Sequence, residues 1–288
     1  MKPDLPARDL ALIGFVVLAW GSNFSAMKIA LEELPPALFV GLRFAILVPL
    51  IAVLPRPQAP VWAIFAVGAL INTGQFVFLF SAMRADVTAG LASLLLQAQA
   101  PLTILLSVAV FGENVRARQL AGIALAAGGM VLIGFGGGGN ITPLGLALVL
   151  AGALSWAAGN LVLKTLPNVA MLPIFIWASL VPPLPMLALS LATETNTPLV
   201  AIASLSLAGW AAVCYVAVIS TVLGYSLWGA LLARHPAATI TPFALLIPVV
   251  GIAVAAIVLG EGLSRSEAIG AVIVLIGLAI TVLRRSET

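Results

Sequence analysis

Charged residues are scarce in this chain: only 8% of its 288 residues are Asp, Glu, Lys or Arg. A soluble domain carries about 25% charged residues, because water must solvate its surface. Hydrophobic residues make up 62% of the sequence, and a helix needs about 20 apolar residues to cross the ~30 Å hydrocarbon core of a bilayer. The composition therefore excludes an ordinary soluble protein and indicates an all-α protein embedded in the lipid bilayer.

Residues that build disulfides, metal sites and catalytic dyads are nearly missing. The single cysteine, Cys214, leaves no internal disulfide and is interpreted as a small buried hydrophobic residue in an apolar span. The single histidine, His235, excludes a histidine-based metal site or dyad. We therefore predict no enzyme, no metal and no cofactor. The net charge of +3 is too small and too dispersed for a nucleic-acid partner.

Ten apolar runs separated by turn residues predict ten transmembrane helices. The first run has a basic flank but no small-residue cleavage site, so it is interpreted as a retained helix and not as a signal peptide. The predicted helices cover residues 9–31, 36–54, 60–83, 87–111, 116–135, 142–164, 169–192, 206–232, 236–259 and 265–283.

The positive charges are unevenly distributed between the two sides of these spans, which predicts orientation. Three of them, Lys28, Arg84 and Arg265, lie at the edges opposite the N-terminus, and Arg43 lies within a span. An even number of spans and this bias predict that both termini are cytoplasmic. The other nine lie on the side of the N-terminus: Lys2, Arg8, Arg56, Arg116, Arg118, Lys164, Arg234, Arg284 and Arg285.

An internal repeat appears when the sequence is shifted by 148 residues. Gly112-Glu113 then falls on Gly260-Glu261, Gly122 on Gly270, Gly129 on Gly277 and Thr73 on Thr221. The predicted halves are residues 1–135 and 142–288, joined by a Gly-rich connector at 136–141. Because five spans is an odd number, the halves must be inverted relative to each other, which is a recurrent plan of transporters with the substrate site between them. The predicted fold is ten helices in two inverted five-helix repeats around a central cavity.

Neutral polar residues within the spans are the candidates for a binding site, because polar groups in a membrane are costly. None of the ten carboxylates lies near a predicted midplane, which weakens a proton-antiport mechanism. Gln97 and Gln99 are about 200° apart on a helix, so only one should face a cavity, and the face of Gln97 is favoured. The alternative for each amide is an interhelical hydrogen bond worth about 0.6 kcal/mol. The candidates are Trp20, Asn23, Gln75, Gln97, Trp156, Asn160, Tyr225 and Trp228.

Arg43 lies about a third of the way into the second span and has two interpretations. It could face a wet cavity and attract an anionic group such as a carboxylate. It could instead extend outward and pair with Glu32 or Glu33. Glu113 and Glu261, which end the fourth and ninth spans, are expected to form ion pairs with the nearby Arg116 and Arg265.

Seven short motifs occur in order along nearly the whole chain: residues 19–24 (AWGSNF), 41–44 (GLRF), 89–99 (AGLASLLLQAQ), 155–160 (SWAAGN), 224–228 (GYSLW), 248–251 (PVVG) and 259–261 (LGE). Together they resemble the EamA-type carriers of the drug/metabolite transporter superfamily, including its bacterial amino-acid exporters of the cysteine/O-acetylserine and YddG types. The resemblance implies a ten-helix carrier of the bacterial inner membrane with a cavity shared by both halves. It places Arg43 and the eight candidates above at substrate-binding positions.

Residues and resemblance together predict an alternating-access exporter of neutral amino acids or similar small metabolites. Because no coupling carboxylate is visible, facilitated transport is expected, and a proton-coupled antiporter is the alternative. Other cargo, such as nucleosides, drugs or sugar-linked metabolites, also stays open. An intramembrane enzyme would need an activated nucleophile or a metal cluster, and neither is visible. The oligomeric state is left open, a monomer included.

Overall fold

The regular structure of this chain is helical. A computed structural model describes residues 5–135, 141–166 and 169–282, and no strand occurs within these ranges. The first half contains α1 (Ala7–Glu33), α2 (Pro36–Ala45) with a 3₁₀ segment Val48–Ala52, α3 (Val61–Val67), a π-helical segment Gly68–Gln75, α4 (Phe76–Ala85), α5 (Ala89–Leu95), a 3₁₀ segment Leu96–Ala98, α6 (Gln99–Phe111) and α7 (Ala117–Phe135).

The second half follows a similar order of elements. It contains α8 (Pro143–Lys164), α9 (Met171–Ala178), α10 (Pro183–Thr193), α11 (Pro198–Ala203), α12 (Leu207–Cys214), a π-helical segment Tyr215–Leu223, α13 (Gly224–Arg234), α14 (Ala237–Ile240), a 3₁₀ segment Thr241–Leu245, α15 (Leu246–Leu259) and α16 (Arg265–Val282).

Eight of the continuous helical stretches among the described residues are long and apolar enough to cross a membrane. A ninth is reached when α9 and α10, which meet at a bend of 42°, are taken as one broken span. The stretch Pro36–Ala52 is apolar but shorter. The all-helical membrane fold is thus confirmed, whereas the count of ten spans stays a prediction.

Proline explains where the predicted helices are interrupted. The prediction of one uninterrupted helix over 169–192 is wrong, because the chain turns between Ala178 and Pro183, where two consecutive prolines lack the backbone N–H of a regular helix. Pro49 also lacks a backbone N–H, and it lies in the 3₁₀ segment where the regular helix α2 has ended. The short helix α11 was not predicted, although Pro198 at its first turn is a favoured helix start.

The helices run between two ends of the molecule, which we name after α1. At the Ala7 end, Asp9 binds Arg234, the last residue of α13, and His235, which directly follows it. At the Glu33 end, the Glu33 carboxylate accepts hydrogen bonds from the backbone N–H and hydroxyl of Ser206, where α12 begins. Because α1 begins where α13 ends, and ends where α12 begins, it lies antiparallel to the α12–α13 stretch.

Further carboxylates bind helix N-termini at the Glu33 end. A helix N-terminus favours a negative charge because its first N–H groups have no partner within the helix. Each of these carboxylates belongs to a different segment from the helix that it binds, so each contact joins two segments. Glu194 accepts from Ala37 N–H at 2.8 Å and from Leu38 N–H at 3.2 Å, Glu261 from Ala89 N–H at 2.9 Å and Gly90 N–H at 3.0 Å, and Asp86 from Thr142 N–H at 2.9 Å.

The shift of 148 residues also relates irregular backbone segments. It moves the π-helical segment Gly68–Gln75 onto 216–223, and the second π-helical segment is Tyr215–Leu223. Gly112 and Gly260, which end α6 and α15, have φ of 67° and 68°, a left-handed conformation that favours glycine. Matched departures from regular helix support the repeat more strongly than matches of common apolar residues do.

Glycines let α7 and α16 pack closely and antiparallel. A Cβ atom added to Gly122 would lie 2.7 Å from the Gly277 carbonyl oxygen, and one added to Gly129 would lie 2.8 Å from that of Gly270. Small residues at helix crossings allow such close backbone approach in membranes. The shift exchanges these contacts, since it moves Gly122 onto Gly270 and Gly129 onto Gly277.

The outer surface of the bundle is apolar. Leu18, Leu184 and Ile257 are 57%, 77% and 83% exposed, as expected of side chains that face lipid. The interpretation of Cys214 as a buried residue is wrong, because its side chain lies on this exposed surface. Lys2, Arg284, Arg285 and residues 136–140 of the predicted connector 136–141 lie outside the described residues.

Candidate functional site

All nine predicted substrate-binding residues line a single cavity of about 480 Å³. Residues of both halves form its wall, as expected of a site between two repeats. Of the described residues that line this cavity, none is Asp or Glu, and one is charged. The nine are Trp20, Asn23, Arg43, Gln75, Gln97, Trp156, Asn160, Tyr225 and Trp228.

Aromatic rings form one side of the cavity. The ring of Trp20 lies 5.6 Å from that of Tyr225 and 5.3 Å from that of Trp228, both in tilted geometry. Tyr225 stacks on Phe175 at 4.3 Å with an interplanar angle of 7°. Trp20 Nε1 donates to the Ser220 carbonyl oxygen at 2.9 Å. This contact fixes a first-half ring against the second half at the π-helical segment.

Amide side chains from both halves form a second group. Asn160 Nδ2 donates to Gln99 Oε1 at 2.9 Å and to Thr103 Oγ1 at 3.1 Å. Gln97 Nε2 donates to the Ala244 carbonyl oxygen at 3.3 Å. The expectation that only one of Gln97 and Gln99 faces the cavity is wrong, because both line it. The 3₁₀ segment Leu96–Ala98 changes the rotation per residue, so an α-helical angle does not apply there.

Asn72 and Gln75 do not share a face as an α-helix would require. Gln75 lines the cavity, whereas Asn72 Nδ2 donates to the Phe175 carbonyl oxygen at 3.2 Å. Both lie in the π-helical segment Gly68–Gln75, whose wider turn separates residues three positions apart. Asn72 thus supports the segment of Phe175, and Phe175 in turn stacks on Tyr225.

Asn23 is buried and incompletely paired. Its Nδ2 lies 3.8 Å from the Met27 sulfur, a weak acceptor. Its Oδ1 has no hydrogen-bond partner among the described residues, although the side chain is only 6% exposed. A buried acceptor without a donor costs about 1–3 kcal/mol. Asn23, which lines the cavity, therefore carries an unused acceptor.

Arg43 is the charged residue of the cavity wall, and only 3% of it is exposed. Its Nη2 donates to Thr221 Oγ1 at 3.0 Å, while Nε and Nη1 have no partner among the described residues. The guanidinium carbon lies 3.9 Å from the ring centroid of Phe76 and 5.0 Å from that of Phe44. The interpretation of Arg43 as a partner of Glu32 or Glu33 is wrong, because no nitrogen of Arg43 contacts either carboxylate.

The cavity is not equally covered at its two ends. Toward the Glu33 end its wall consists of buried apolar side chains, at most 7% exposed. Toward the Ala7 end the wall includes partly exposed residues. They lie in the last turns of α8 and α16, at the start of α9, and at the start of the 3₁₀ segment that follows α14. The buried group is Phe24, Met27, Leu79 and Leu96, and the partly exposed group is Leu163, Met171, Thr241 and Val282.

The two repeated glutamates lie outside the cavity wall. The predicted pairs with Arg116 and Arg265 are wrong: Glu113 pairs with Lys164, whose side chain also contacts Ser107, and Glu261 binds the N-terminus of α5. Both partners come from distant segments, which local spacing does not reveal. Within residues 5–135, 141–166 and 169–282, no group of three His, Cys, Asp or Glu could hold a metal ion.

Sequence reasoning missed the residues that position the predicted ones. Thr221 binds Arg43, Phe76 and Phe44 flank its guanidinium, and Phe175 stacks on Tyr225. One signal was available for Thr221, since the repeat aligns it with Thr73. Phe76 and Phe175 carried no signal, because phenylalanine is ordinary in an apolar span, whereas Phe44 belongs to the motif 41–44 (GLRF).

Comparisons with known proteins agree on one family. The model of the EamA-like transporter family matches residues 9–135 and 143–283. A Salmonella typhimurium protein named "probable amino-acid metabolite efflux pump" is 42% identical over 283 residues, which are 96% of this chain and 95% of that protein. An Escherichia coli protein of the same name is 38% identical with the same coverage. A solved crystal structure matches 98% of each chain with a TM-score of 0.66 at 20% identity, which shows the fold alone.

Proposed function

The chain belongs to the EamA-like transporter family, and from that premise we propose that it exports neutral amino acids or similar small metabolites across the bacterial inner membrane. It is a multi-pass membrane transporter with a small-molecule substrate, and it is not an enzyme. The names of the two efflux pumps that are 42% and 38% identical support the proposed cargo and direction.

One observation carries the choice of cargo: the cavity combines one buried cation, several amides and a cluster of aromatic rings. Amides can donate and accept hydrogen bonds, and tryptophan and tyrosine add apolar contact area with one polar atom each. A cavity of about 480 Å³ lies in the range of sites for small ligands. All nine residues that we chose from the sequence line this cavity. In this proposal each of them contacts the solute.

The proposed transport cycle is alternating access, in which the central cavity opens to one side of the membrane and then to the other. The proposed carrier has ten spans, arranged as two inverted halves around this cavity. The shift-related π-helical segments and the antiparallel glycine contacts of α7 and α16 support this arrangement. In the described conformation the cavity is covered toward the Glu33 end. With both termini in the cytoplasm, that conformation would receive solute from the cytoplasmic side.

Transport is proposed to be facilitative, with the solute moving down its own gradient. Proton-coupled carriers commonly use a carboxylate within the membrane, and of the described residues lining the cavity none is Asp or Glu. A zwitterionic solute has no net charge, so the membrane potential would not drive its movement.

Uptake of labelled neutral amino acids by proteoliposomes that contain the purified protein, without an imposed ion gradient, tests this proposal. We expect saturable uptake, accelerated by unlabelled amino acid inside the vesicles, because exchange of solute is faster than return of an empty carrier. Uptake that needs a pH gradient would replace the facilitative mechanism with proton coupling. Exchange of nucleosides or sugar-linked metabolites, with none of amino acids, would replace the cargo.

A further inference from the structure

Arg43 carries a positive charge that no acidic residue neutralises within the cavity. It is the one charged side chain among the described residues of the wall, and its single hydrogen bond goes to the neutral hydroxyl of Thr221. Burying a charge without a counter-ion is costly, and proteins normally pair such a group. The unpaired Nε and Nη1 of Arg43 therefore indicate an anionic partner that enters with the solute.

We propose that Arg43 binds the carboxylate of the transported solute and that a free carboxylate defines the substrate class. This inference rests on the proposed function, because it assigns the recognition element of that site. A guanidinium presents five N–H donors and forms strong charge-assisted hydrogen bonds with carboxylates. One donor of Arg43 is used by Thr221, and two of its nitrogens are free of partners among the described residues.

The surroundings hold the guanidinium in place without competing for its free donors. The ring of Phe76 lies 3.9 Å from its central carbon, and the electron-rich face of an aromatic ring attracts a cation. Thr221 fixes the third nitrogen from the second half of the chain. Arg43 is thus oriented by two neutral contacts, so a carboxylate can bind it without breaking an ion pair.

The same wall offers no charged partner for an ammonium group. Its buried acceptor without a partner is Asn23 Oδ1, which is neutral. A neutral oxygen accepts a hydrogen bond from an ammonium, an uncharged amine or a hydroxyl group alike. The cavity therefore requires the carboxylate of an amino acid but not its ammonium, and 2-hydroxy acids belong to the same class.

Three small molecules with the same methyl side chain, alanine, lactate and alaninamide, test separately whether binding needs the carboxylate and whether it needs the ammonium. Lactate keeps the carboxylate and replaces the ammonium with a hydroxyl, whereas alaninamide keeps the ammonium and lacks the carboxylate. Binding to the purified protein is measured by quenching of tryptophan fluorescence, since Trp20, Trp156 and Trp228 line the cavity. A second series on methionine, its 2-hydroxy analogue and its amide covers a larger side chain.

We expect alanine and lactate to bind with affinities within about tenfold of each other, and alaninamide to bind at least about tenfold more weakly. In Arg43→Gln and Arg43→Lys the preference for carboxylate over amide should fall, to near unity in Arg43→Gln. Arg43→Lys keeps a cation in the buried site and tests the inference if Arg43→Gln does not fold. Arg56→Gln, at an exposed loop position, is the matched control and should bind as the unchanged protein does.

Amide binding as tight as carboxylate binding, or no carboxylate binding in either series, would overturn the inference. So would a carboxylate preference that survives in both Arg43 variants. Arg43-dependent carboxylate binding without any amino-acid exchange in proteoliposomes would reject the proposed cargo and keep the inference. Amino-acid exchange that depends on neither the carboxylate nor Arg43 would keep the proposed cargo and reject the inference.

Discussion

Glu113 in the first half and Glu261 in the second occupy matching positions, each directly after a glycine with left-handed φ, yet their partners differ. Glu261 accepts hydrogen bonds from two backbone N–H groups at the start of α5. Glu113 instead pairs with Lys164, and both of these side chains are more than 40% exposed. The repeated sequence thus produces a partly buried interhelical contact at the Glu33 end and an exposed ion pair at the Ala7 end.

This difference coincides with the coverage of the cavity. Buried apolar residues close the cavity toward the Glu33 end, where Glu261 binds α5, and the wall reaches partly exposed residues toward the Ala7 end. Elsewhere the halves agree, as in the π-helical segments and the glycines of α7 and α16. The comparison teaches that segments with matching sequence and backbone geometry can still make different side-chain contacts at the two ends of the molecule.

The largest expected effect comes from breaking the part that the halves share. In Gly129→Leu the new side chain would meet the Gly270 carbonyl oxygen, which lies 2.8 Å from the Cβ position, so α7 and α16 must separate. Overpacking of this kind costs about 1–3 kcal/mol or more. We expect a marked fall in the midpoint of thermal unfolding in detergent and loss of transport.

Gly128→Leu is the matched control, because a Cβ atom on Gly128 has no neighbour within 4 Å. It adds the same side chain to the adjacent residue of the same helix, so its unfolding midpoint should stay near that of the unchanged protein. Equal destabilisation by both variants would show that α7 and α16 do not pack as described.

An intermediate effect is expected where the halves differ. Glu261→Ala leaves the N–H groups of Ala89 and Gly90 without their acceptor, at a cost of about 1–2 kcal/mol. The Glu33 end should therefore open more often, by roughly five- to thirtyfold. The measurement is the rate at which a membrane-impermeant thiol reagent modifies a cysteine at the buried Ala92, in a background in which Cys214 is replaced by alanine.

Glu113→Ala serves as the comparison for that variant. Its ion pair with Lys164 is exposed to solvent, and such pairs contribute about 0–1 kcal/mol. It should leave the modification rate at position 92 within about twofold of the starting value. If Glu113→Ala and Glu261→Ala accelerated the reaction equally, the assigned difference between the two ends would be wrong.

The smallest effect tests whether the matched glycines are equivalent. Alanine at Gly112 or at Gly260 must adopt a left-handed conformation, which costs about 1 kcal/mol at each site. Neither position has a neighbour within 4 Å of an added Cβ, so crowding adds nothing. Two equal, small decreases in the unfolding midpoint are expected, and a large difference would show that the second half depends on its turn more than the first.

Much of the architecture follows from local sequence signals. Apolar runs and turn residues place helices near their observed positions because each signal lies within the segment it describes. The exceptions are local departures from α-helical geometry, such as the 3₁₀ segment that lets Gln97 and Gln99 share the cavity. Hydrophobic periodicity calculated for a regular α-helix does not reveal them.

The sequence was enough to choose residues that line the cavity, but not to find their contacts. Arg43 and Asn160 stood out as polar groups within apolar spans, and both line the cavity. Their partners Thr221 and Gln99 are 178 and 61 residues away along the chain, so only the folded structure brings them together. Their roles in substrate binding stay predictions that the variants above test.

The glycine contacts between α7 and α16 have a consequence for the symmetry of the chain. Gly122 meets Gly277 and Gly129 meets Gly270, and the shift by 148 residues turns each contact into the other. A surface that contacts an equivalent copy of itself is the property of an interface between identical subunits. The contact between α7 and α16 therefore has, within one chain, the twofold relation that such an interface has between two chains.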